Sequence, residues 1–375
     1  MTILYDTLVI GAGQAGLATG YWLKHTGLSF ALLEAGNRPT GSWPHYYDSL
    51  TLFSPARYSS LPGMPFPGDP DHYPGRDEVT RYLSTYAQRF HLPIMLERRV
   101  ERVFTEGTQF QVITAGGERY QARSMIAATG SFHQPYLPTF RGQDTFQGQL
   151  LHAATYHSPE AFRNQRVVVV GAGNSAVQIA VELARLARVT LSSRNPINFR
   201  PQRIGGRDVH FWAWLTGLDR LPLGTWWQRH ATTAVLDTGR YQQAFRDSLL
   251  DQRALLQAFT ADGVVWDDGS HEPVESVIFA TGYRPGLDYL QELGAVDEDG
   301  YPRQRAGVSH VTPGLYFVGQ QFQRTYASAT LRGVGADAAR VVSHLRRALQ
   351  DDSSGLGHIW LQGSWKCCTS PVPSS

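Results

Sequence analysis

Two glycine-rich segments about 160 residues apart limit what this chain can fold into. Thr7-Leu8-Val9-Ile10 runs into Gly11-Ala12-Gly13-Gln14-Ala15-Gly16, and Val167–Val170 runs into Gly171-Ala172-Gly173-Asn174-Ser175-Ala176. Each is an apolar strand, a tight turn and the start of a helix, in the spacing G-x-G-x-x-G/A. The first glycine makes the turn and the second lets backbone approach a pyrophosphate. The third position must be small for the helix to pack on its strand. The anion then lies on the unpaired N–H groups of the helix start, here those around Gln14, Ala15, Asn174 and Ser175. One such segment is as often a plain structural turn. Two of them predict a chain that binds two dinucleotides and moves electrons between them.

The residues that follow distinguish the two sites. Ser29–Leu33 reads as the next strand and ends at Glu34, placed to accept hydrogen bonds from ribose hydroxyls and to repel a 2′-phosphate. An N-terminal site of this form suits FAD. After the second segment, Arg188–Leu191 ends at Ser192-Ser193-Arg194 with no acid. A guanidinium and two hydroxyls suit the 2′-phosphate of NADPH. The competing reading of Arg194 is a solvated surface charge.

Composition agrees with an enzyme. At 375 residues the chain has room for two cores, and a net charge of +2 argues against a nucleic-acid surface. No apolar run reaches the length of a membrane span, and the first strand begins almost at once, so neither a span nor a signal peptide is expected and the cytoplasm is the default location. The 13 histidines show no metal-ligand spacing, so no metal is expected. The only cysteines, Cys367 and Cys368, lie in a Ser/Gly/Pro-rich tail from Asp351, which reads as disordered.

The breakers and periodicities suggest a discontinuous layout. Residues 41–75, rich in Pro, Gly and aromatics, read as an ordered loop over the first cofactor. Asp77 to about Phe90 reads as a helix, and Glu101–Phe104, Phe110–Thr114 and Glu118–Ile126 as strands. The last ends in Ala128-Thr129-Gly130, and a matching Ala280-Thr281-Gly282 follows Val277-Ile278-Phe279. These two turns are expected to return the chain to the first domain on either side of the second. The layout is then an FAD-binding domain from residues 1–150 and 277–350, an NADP-binding insertion at 151–276, and the tail 351–375.

Phe146-x-Gly148-x-x-x-His152-x-x-x-Tyr156 resembles the signature of flavin-containing monooxygenases, and stands just before the second glycine segment, as it does in that family. Gly41-Ser42-Trp43, Gly173-Asn174-Ser175, Phe279–Tyr283 and Pro313–Gly319 resemble the same family. The resemblance spans about residues 3–349 and is closest to compact bacterial members. It implies an α/β fold of two Rossmann-like domains of the glutathione-reductase-like type. It also implies FAD and NADPH as cofactors, with O2 and a small molecule as substrates. NADPH would reduce the flavin, and O2 would be held as a C4a-(hydro)peroxyflavin that oxygenates sulfides, amines or ketones. Flavin disulfide reductases share the domain pair but need two cysteines beside the flavin, which the folded part of this chain lacks. The alternative is a reductase or oxidase that passes electrons to O2, quinone or another acceptor without inserting oxygen.

Two departures bear on that choice. Tyr156 is followed by His157 where the family has Lys or Arg. Many members place an Asn at the reactive edge of the flavin, whereas the matching stretch here is Leu52-Phe53-Ser54-Pro55. Phe53 is expected to shield the flavin and Ser54 to offer it one hydrogen bond. The resemblance further implies contacts from Ser42 and Trp43 to the flavin. Gly319 and Gln320 would lie near the ribityl chain, and Thr330 and Leu331 at a helix start facing flavin N1/O2. Arg57 and Arg324 are candidates to line the cavity. Trp212, Trp214, Trp226 and Trp227 form an aromatic insert, read as core packing or a homodimer contact rather than a substrate site.

Overall fold

The computed structural model describes residues 3–132, 134–224, 226 and 234–353. Alternating apolar strands and glycine-started helices give two parallel sheets, each built around one glycine segment. The chain opens with β1 (Leu4–Ile10), α1 (Gln14–Leu23) and β2 (Phe30–Leu33). It continues through α2 (Arg76–Arg89), β3 (Ile94–Met95) and the antiparallel run β4 (Val100–Glu106), β5 (Gln109–Thr114) and β6 (Arg119–Ala127). The expected helix and three strands are thus present. α2 buries Val79, Tyr82, Leu83 and Tyr86 on one face, as its 3.6-residue period requires.

The second sheet begins at β7 (Gln149–His152) and continues with β8 (Arg166–Val170), α3 (Asn174–Leu183) and β9 (Arg188–Ser193). The short helix α4 (Val209–Thr216) and helix α5 (Arg240–Arg246) lead to β10 (Asp251–Ala254). A three-stranded antiparallel ribbon, β11 (Ala258–Phe259), β12 (Gly263–Val265) and β13 (His271–Pro273), precedes β14 (Ser276–Phe279). The chain then returns through β15 (Gln304–Arg305), β16 (Val308–Ser309) and β17 (Leu315–Phe317) to the long helix α6 (Leu331–Ser353).

Among the described residues the first sheet has nine strands, with central order β15-β16-β17-β6-β1-β2-β3 and β4–β5 hung from β6. The second runs β10-β9-β8-β14-β7, parallel throughout. α1 and α6 pack on the first sheet, tied where Trp22 Nε1 donates to the Gly335 carbonyl at 2.9 Å. β1, β8 and β14 are buried on both faces, which is why they read as unbroken apolar runs.

One expectation needs correction. The expected layout gives Val277–Phe279 to the first domain, but β14 pairs with β8 on one side and β7 on the other, inside the second sheet. The expected limits at 151 and 276 therefore fall on strands of that sheet; Arg141 already bridges Ala258, and the chain's two passes between the sheets pair with each other at 134–135 and 283–284. The Trp insert also differs. Trp212, Trp214 and Trp226 are exposed, so core packing does not describe them. Trp227 and the tail with Cys367 and Cys368 lie outside the described residues.

Candidate active site

The first glycine segment is held from several directions. Gly11 has φ +99°, and a side chain there would meet the Ala128 carbonyl oxygen at 2.9 Å. At Gly16 the added carbon would lie 1.9 Å from the Gly11 carbonyl oxygen, so the helix start touches its own strand. Gly13 faces Gly41: a carbon added at Gly41 would stand 2.9 Å from Gly13 Cα. Glu34 is buried, and its two oxygens accept from the Ala12 N–H at 2.6 Å and the Gly36 N–H at 2.9 Å. The acid thus fixes the shape of the glycine turn.

Residues far apart in sequence converge on this turn. Gln14 Nε2 donates to the Ala329 carbonyl at 2.6 Å, and Trp43 Nε1 donates to Gln14 Oε1 at 3.1 Å. Ser42 caps the short 3-10 turn Trp43–His45. Ala329, at φ +68°, turns the chain into α6 after Thr330, whose hydroxyl donates to the Ala327 carbonyl at 2.6 Å. Leu331, the first residue of α6, is buried. Gly319 lies against the α1 start, where a side chain would reach Ala15 Cβ at 2.7 Å. Thr129 is half-buried beside Gly130, which has φ +79° and open space on its side-chain face. The residues expected to contact FAD therefore gather around the start of α1.

This arrangement fits a dinucleotide. The α1 amides have no side-chain cap, which leaves the helix start to an anion. Gln320 is buried, and its Nε2 has no hydrogen-bond partner among the described residues. A buried amide donor without a partner is costly, and a polar cofactor chain removes that cost.

The second glycine segment repeats the geometry. Gly171 has φ +152°, and a carbon there would lie 2.4 Å from the Ala280 carbonyl oxygen. Gly173 precedes α3 in extended backbone, with Asn174 as the first helical residue and Ser175 beside the Tyr47 hydroxyl. The two serines after β9 are less available than their positions suggest. Ser192 is fully buried; its hydroxyl donates to the Ala254 carbonyl at 3.3 Å and accepts from the Leu256 N–H at 3.1 Å. Ser193 donates to the Asn195 carbonyl at 2.7 Å. Arg194 is exposed at the strand end, with no ion pair among the described residues. Of the three, only Arg194 is free to reach a ligand as placed.

The signature motif lies in the second sheet and at its exit. His152 is buried; its Nδ1 accepts from the Ala154 N–H at 3.0 Å, so Nε2 carries the hydrogen and donates to the Gly282 carbonyl at 3.0 Å. Thr281 donates to the Tyr136 carbonyl at the same crossing. The Tyr156 hydroxyl donates to Glu182 of α3 at 2.9 Å, and burial pushes its ionisation up. Gly148 has no room for a side chain between Phe146 and the Glu275 carbonyl. These contacts lie within the second module and at its exit, and the Tyr156 ring also packs on Tyr47 of the 41–75 loop at 6.2 Å.

Burial lowers the His152 pKa despite the Gly282 bond. A neutral imidazole is therefore favoured in the fold. Its contribution is complete above the ordinary imidazole range, about 6.5. It is lost as pH falls through the lowered folded value. Thermal stability should drop as pH is lowered through the region below about 6.5. His152→Gln, which retains a donor for Gly282, should flatten that dependence. Melting curves at stepped pH check this; parallel wild-type and variant curves would exclude His152 as its source.

The expected catalytic residues separate. Phe53 is 37% exposed, with its ring 6.0 Å from that of His210. Ser54 is buried and turned inward, its hydroxyl 2.9 Å from that of Ser59. It is a turn-stabilising group and does not offer its hydroxyl to the cleft. Arg57 does not line the cleft either: it pairs with Asp71 at 2.9 Å and pins the 69–72 loop. Arg324 pairs with Asp337 of α6 at 2.8 Å, and Asp337 also accepts from Ser328. Burial pushes the Asp337 carboxyl up from its usual range.

Sequence reading missed a polar group facing Phe53. Gln202 Nε2 donates to the Phe53 carbonyl at 3.0 Å and to Asp208 Oδ2 at 2.7 Å. An amide absent from the Leu52–Pro55 stretch is thus supplied across the cleft, with its hydrogens engaged. Asp208 also accepts from Tyr73 and His210. Arg332 of α6 pairs with Asp219, and the Gly224 N–H donates to the Arg324 carbonyl at 2.8 Å. Residues 202–224 of the second module therefore form a wall against Phe53, Tyr73, Arg324 and α6 of the first. The Asp208 N-cap before an aromatic run was readable; the bond from Gln202 to Phe53, 149 residues away, was not.

Residues 8–205 match the pyridine nucleotide-disulphide oxidoreductase family. An uncharacterized CzcO-like oxidoreductase of Geobacillus kaustophilus is 36% identical over 349 residues, 92% of this chain and 99% of that one. The indole-3-pyruvate monooxygenase YUCCA4 of Oryza sativa subsp. japonica is 30% identical over 393 residues, 92% of this chain and 88% of its own. The flavin-containing monooxygenase of Stenotrophomonas maltophilia superposes with a TM-score of 0.81 at 33% identity, covering 92% of this chain and 99% of that chain. The chain belongs to the pyridine nucleotide-disulphide oxidoreductase family, in its flavin-containing monooxygenase branch. It is a flavin-dependent oxidoreductase, and the cofactors of the branch are FAD and NADPH. No helix among the described residues is long and apolar enough to cross a membrane.

Proposed function

We propose that this chain is an NADPH-dependent monooxygenase that uses FAD and O2 to oxygenate small sulfides, amines or ketones. The observation that carries the reading is the pair of glycine turns at Gly11 and Gly171, each opening a helix start with no side-chain cap, the first of them beside Gln14 and Trp43. Flavin bound there supplies hydride acceptance and reaction with O2. The α1 amides, Gln14 and Gln320 hold and orient it, and Glu34 keeps the glycine turn in shape. Arg194 reads the 2′-phosphate. Phe53 and the 202–224 wall keep water from the reacting edge.

One observation favours a second reading, an oxidase that releases peroxide. Neither the inward Ser54 hydroxyl nor the engaged Gln202 amide offers a free donor at Phe53. Turnover is therefore expected to be partly uncoupled, with NADPH oxidised faster than product forms. Labelled O2 supplied with a thioether panel and a ketone panel, with peroxide counted in parallel, decides between them. Label should enter the thioethers. Its absence from both panels, with all electrons recovered as peroxide, would sink the monooxygenase reading.

A further inference from the structure

Asp208 and His210 form a buried pair that the functions assigned above leave unused. Asp208 caps α4: its Oδ1 accepts from the His210 backbone N–H at 2.8 Å and from His210 Nδ1 at 2.6 Å. Its Oδ2 accepts from Gln202 Nε2 at 2.7 Å and from the Tyr73 hydroxyl. Despite burial, these donors hold the carboxyl down at about 2, so it only accepts. Donation to it forces the imidazole hydrogen onto Nδ1. In the neutral ring Nε2 is then the lone-pair nitrogen. The side chain is 4% exposed, yet Nε2 has no hydrogen-bond partner among the described residues. The rings of Phe53 and Tyr58 lie within 27° of parallel to the imidazole, at 6.0 and 6.2 Å. The nearby carboxylate of Asp219 is taken by Arg332. A ring nitrogen without a partner among the described residues thus lies beside Phe53, which is 37% exposed, and Tyr58.

We infer that His210 is a specificity-determining residue whose Nε2 accepts a hydrogen bond from an N–H or O–H group of the substrate, while the substrate's apolar body lies against Phe53 and Tyr58. The inference rests on the reading that this cleft is where substrate meets flavin. A site built to accept a hydrogen bond discriminates against an analogue that lacks the donor, because its own polar group is then left unpaired.

The test uses the FAD-loaded enzyme and two probes with one reacting sulfur: a benzyl thioether ending in a primary alcohol, and its methyl ether. Wild type should bind the alcohol more tightly in calorimetry and oxidise it with higher kcat/KM, by about three- to tenfold. His210→Phe keeps a ring of similar size without the acceptor. It should bring the two probes to parity, the alcohol losing more kcat/KM than the methyl ether. A variant with only a packing defect would lower both alike and keep the ratio. Nitrogen-15 histidine spectra of wild type should show the Nδ1–H tautomer at His210 and a shift of its Nε2 on adding the alcohol alone. Equal wild-type affinities for the pair would overturn the inference, even if His210→Phe fails to fold. Selective binding without oxygen transfer to either probe would instead remove the monooxygenase reading and leave His210 in its role.

Discussion

Gly13→Val is expected to yield folded protein without flavin. The added carbon would stand 3.3 Å from Gly41 Cα, a crowding that a small loop shift relieves. The branched side chain, however, would occupy the approach to the uncapped α1 amides, where a pyrophosphate must lie. Gly16→Val should be worse. Its added carbon would fall 1.9 Å from the Gly11 carbonyl oxygen, backbone against backbone, and no rotamer change removes that collision. The pair separates loss of ligand from loss of fold. Flavin absorbance per protein should vanish in both, while far-ultraviolet circular dichroism stays native only in Gly13→Val. Full flavin content in Gly13→Val would remove FAD from the N-terminal site. Glu34→Gln should be milder, since a carboxamide oxygen still accepts one of the two turn amides.

The second large effect concerns coenzyme choice. Arg194→Ala should raise the KM for NADPH on the order of tenfold or more, since a charge-assisted bond to phosphate is lost. NADH kinetics should stay nearly unchanged. The side chain is exposed, and no ion pair holds it among the described residues, so its removal should leave the melting temperature in place. Equal effects on the two coenzymes would show that Arg194 does not read the 2′-phosphate. Because the Ser192 and Ser193 hydroxyls are engaged by backbone partners, their alanine variants should affect stability more than coenzyme preference.

What the sequence disclosed, and what it hid, follows from the range of the interactions. Both glycine turns were legible because their constraints lie within a few residues: a positive φ at Gly11 and the close approach of Gly16 to Gly11 leave few alternatives. Strand, turn and helix order then followed from local periodicity. The placement of Val277–Phe279 was misjudged because an apolar strand ending in Ala-Thr-Gly reads alike in either sheet; pairing with β7 and β8 assigns it. Ser54 and Arg57 looked functional by position in a motif. Their partners Ser59 and Asp71 are near in sequence, yet nothing local says which way a loop side chain turns. The Asp208–His210 cap is local, but its burial depends on a fold that brings residue 208 against residue 73, a long-range contact with no periodic trace.

The wall contributed by residues 202–224 has a consequence for heredity and for engineering. Gln202, Asp208 and Asp219 reach the first module, yet they are encoded between β9, which leads to the coenzyme contact proposed at Arg194, and β14. A chimaera that exchanges the second module to change coenzyme also exchanges the face opposite Phe53. Coenzyme preference and selectivity at the cleft are therefore inherited as one block. A transplant that alters only the coenzyme must be confined to the turns at Gly171–Ser175 and Ser192–Arg194, leaving residues 202–224 with their original host.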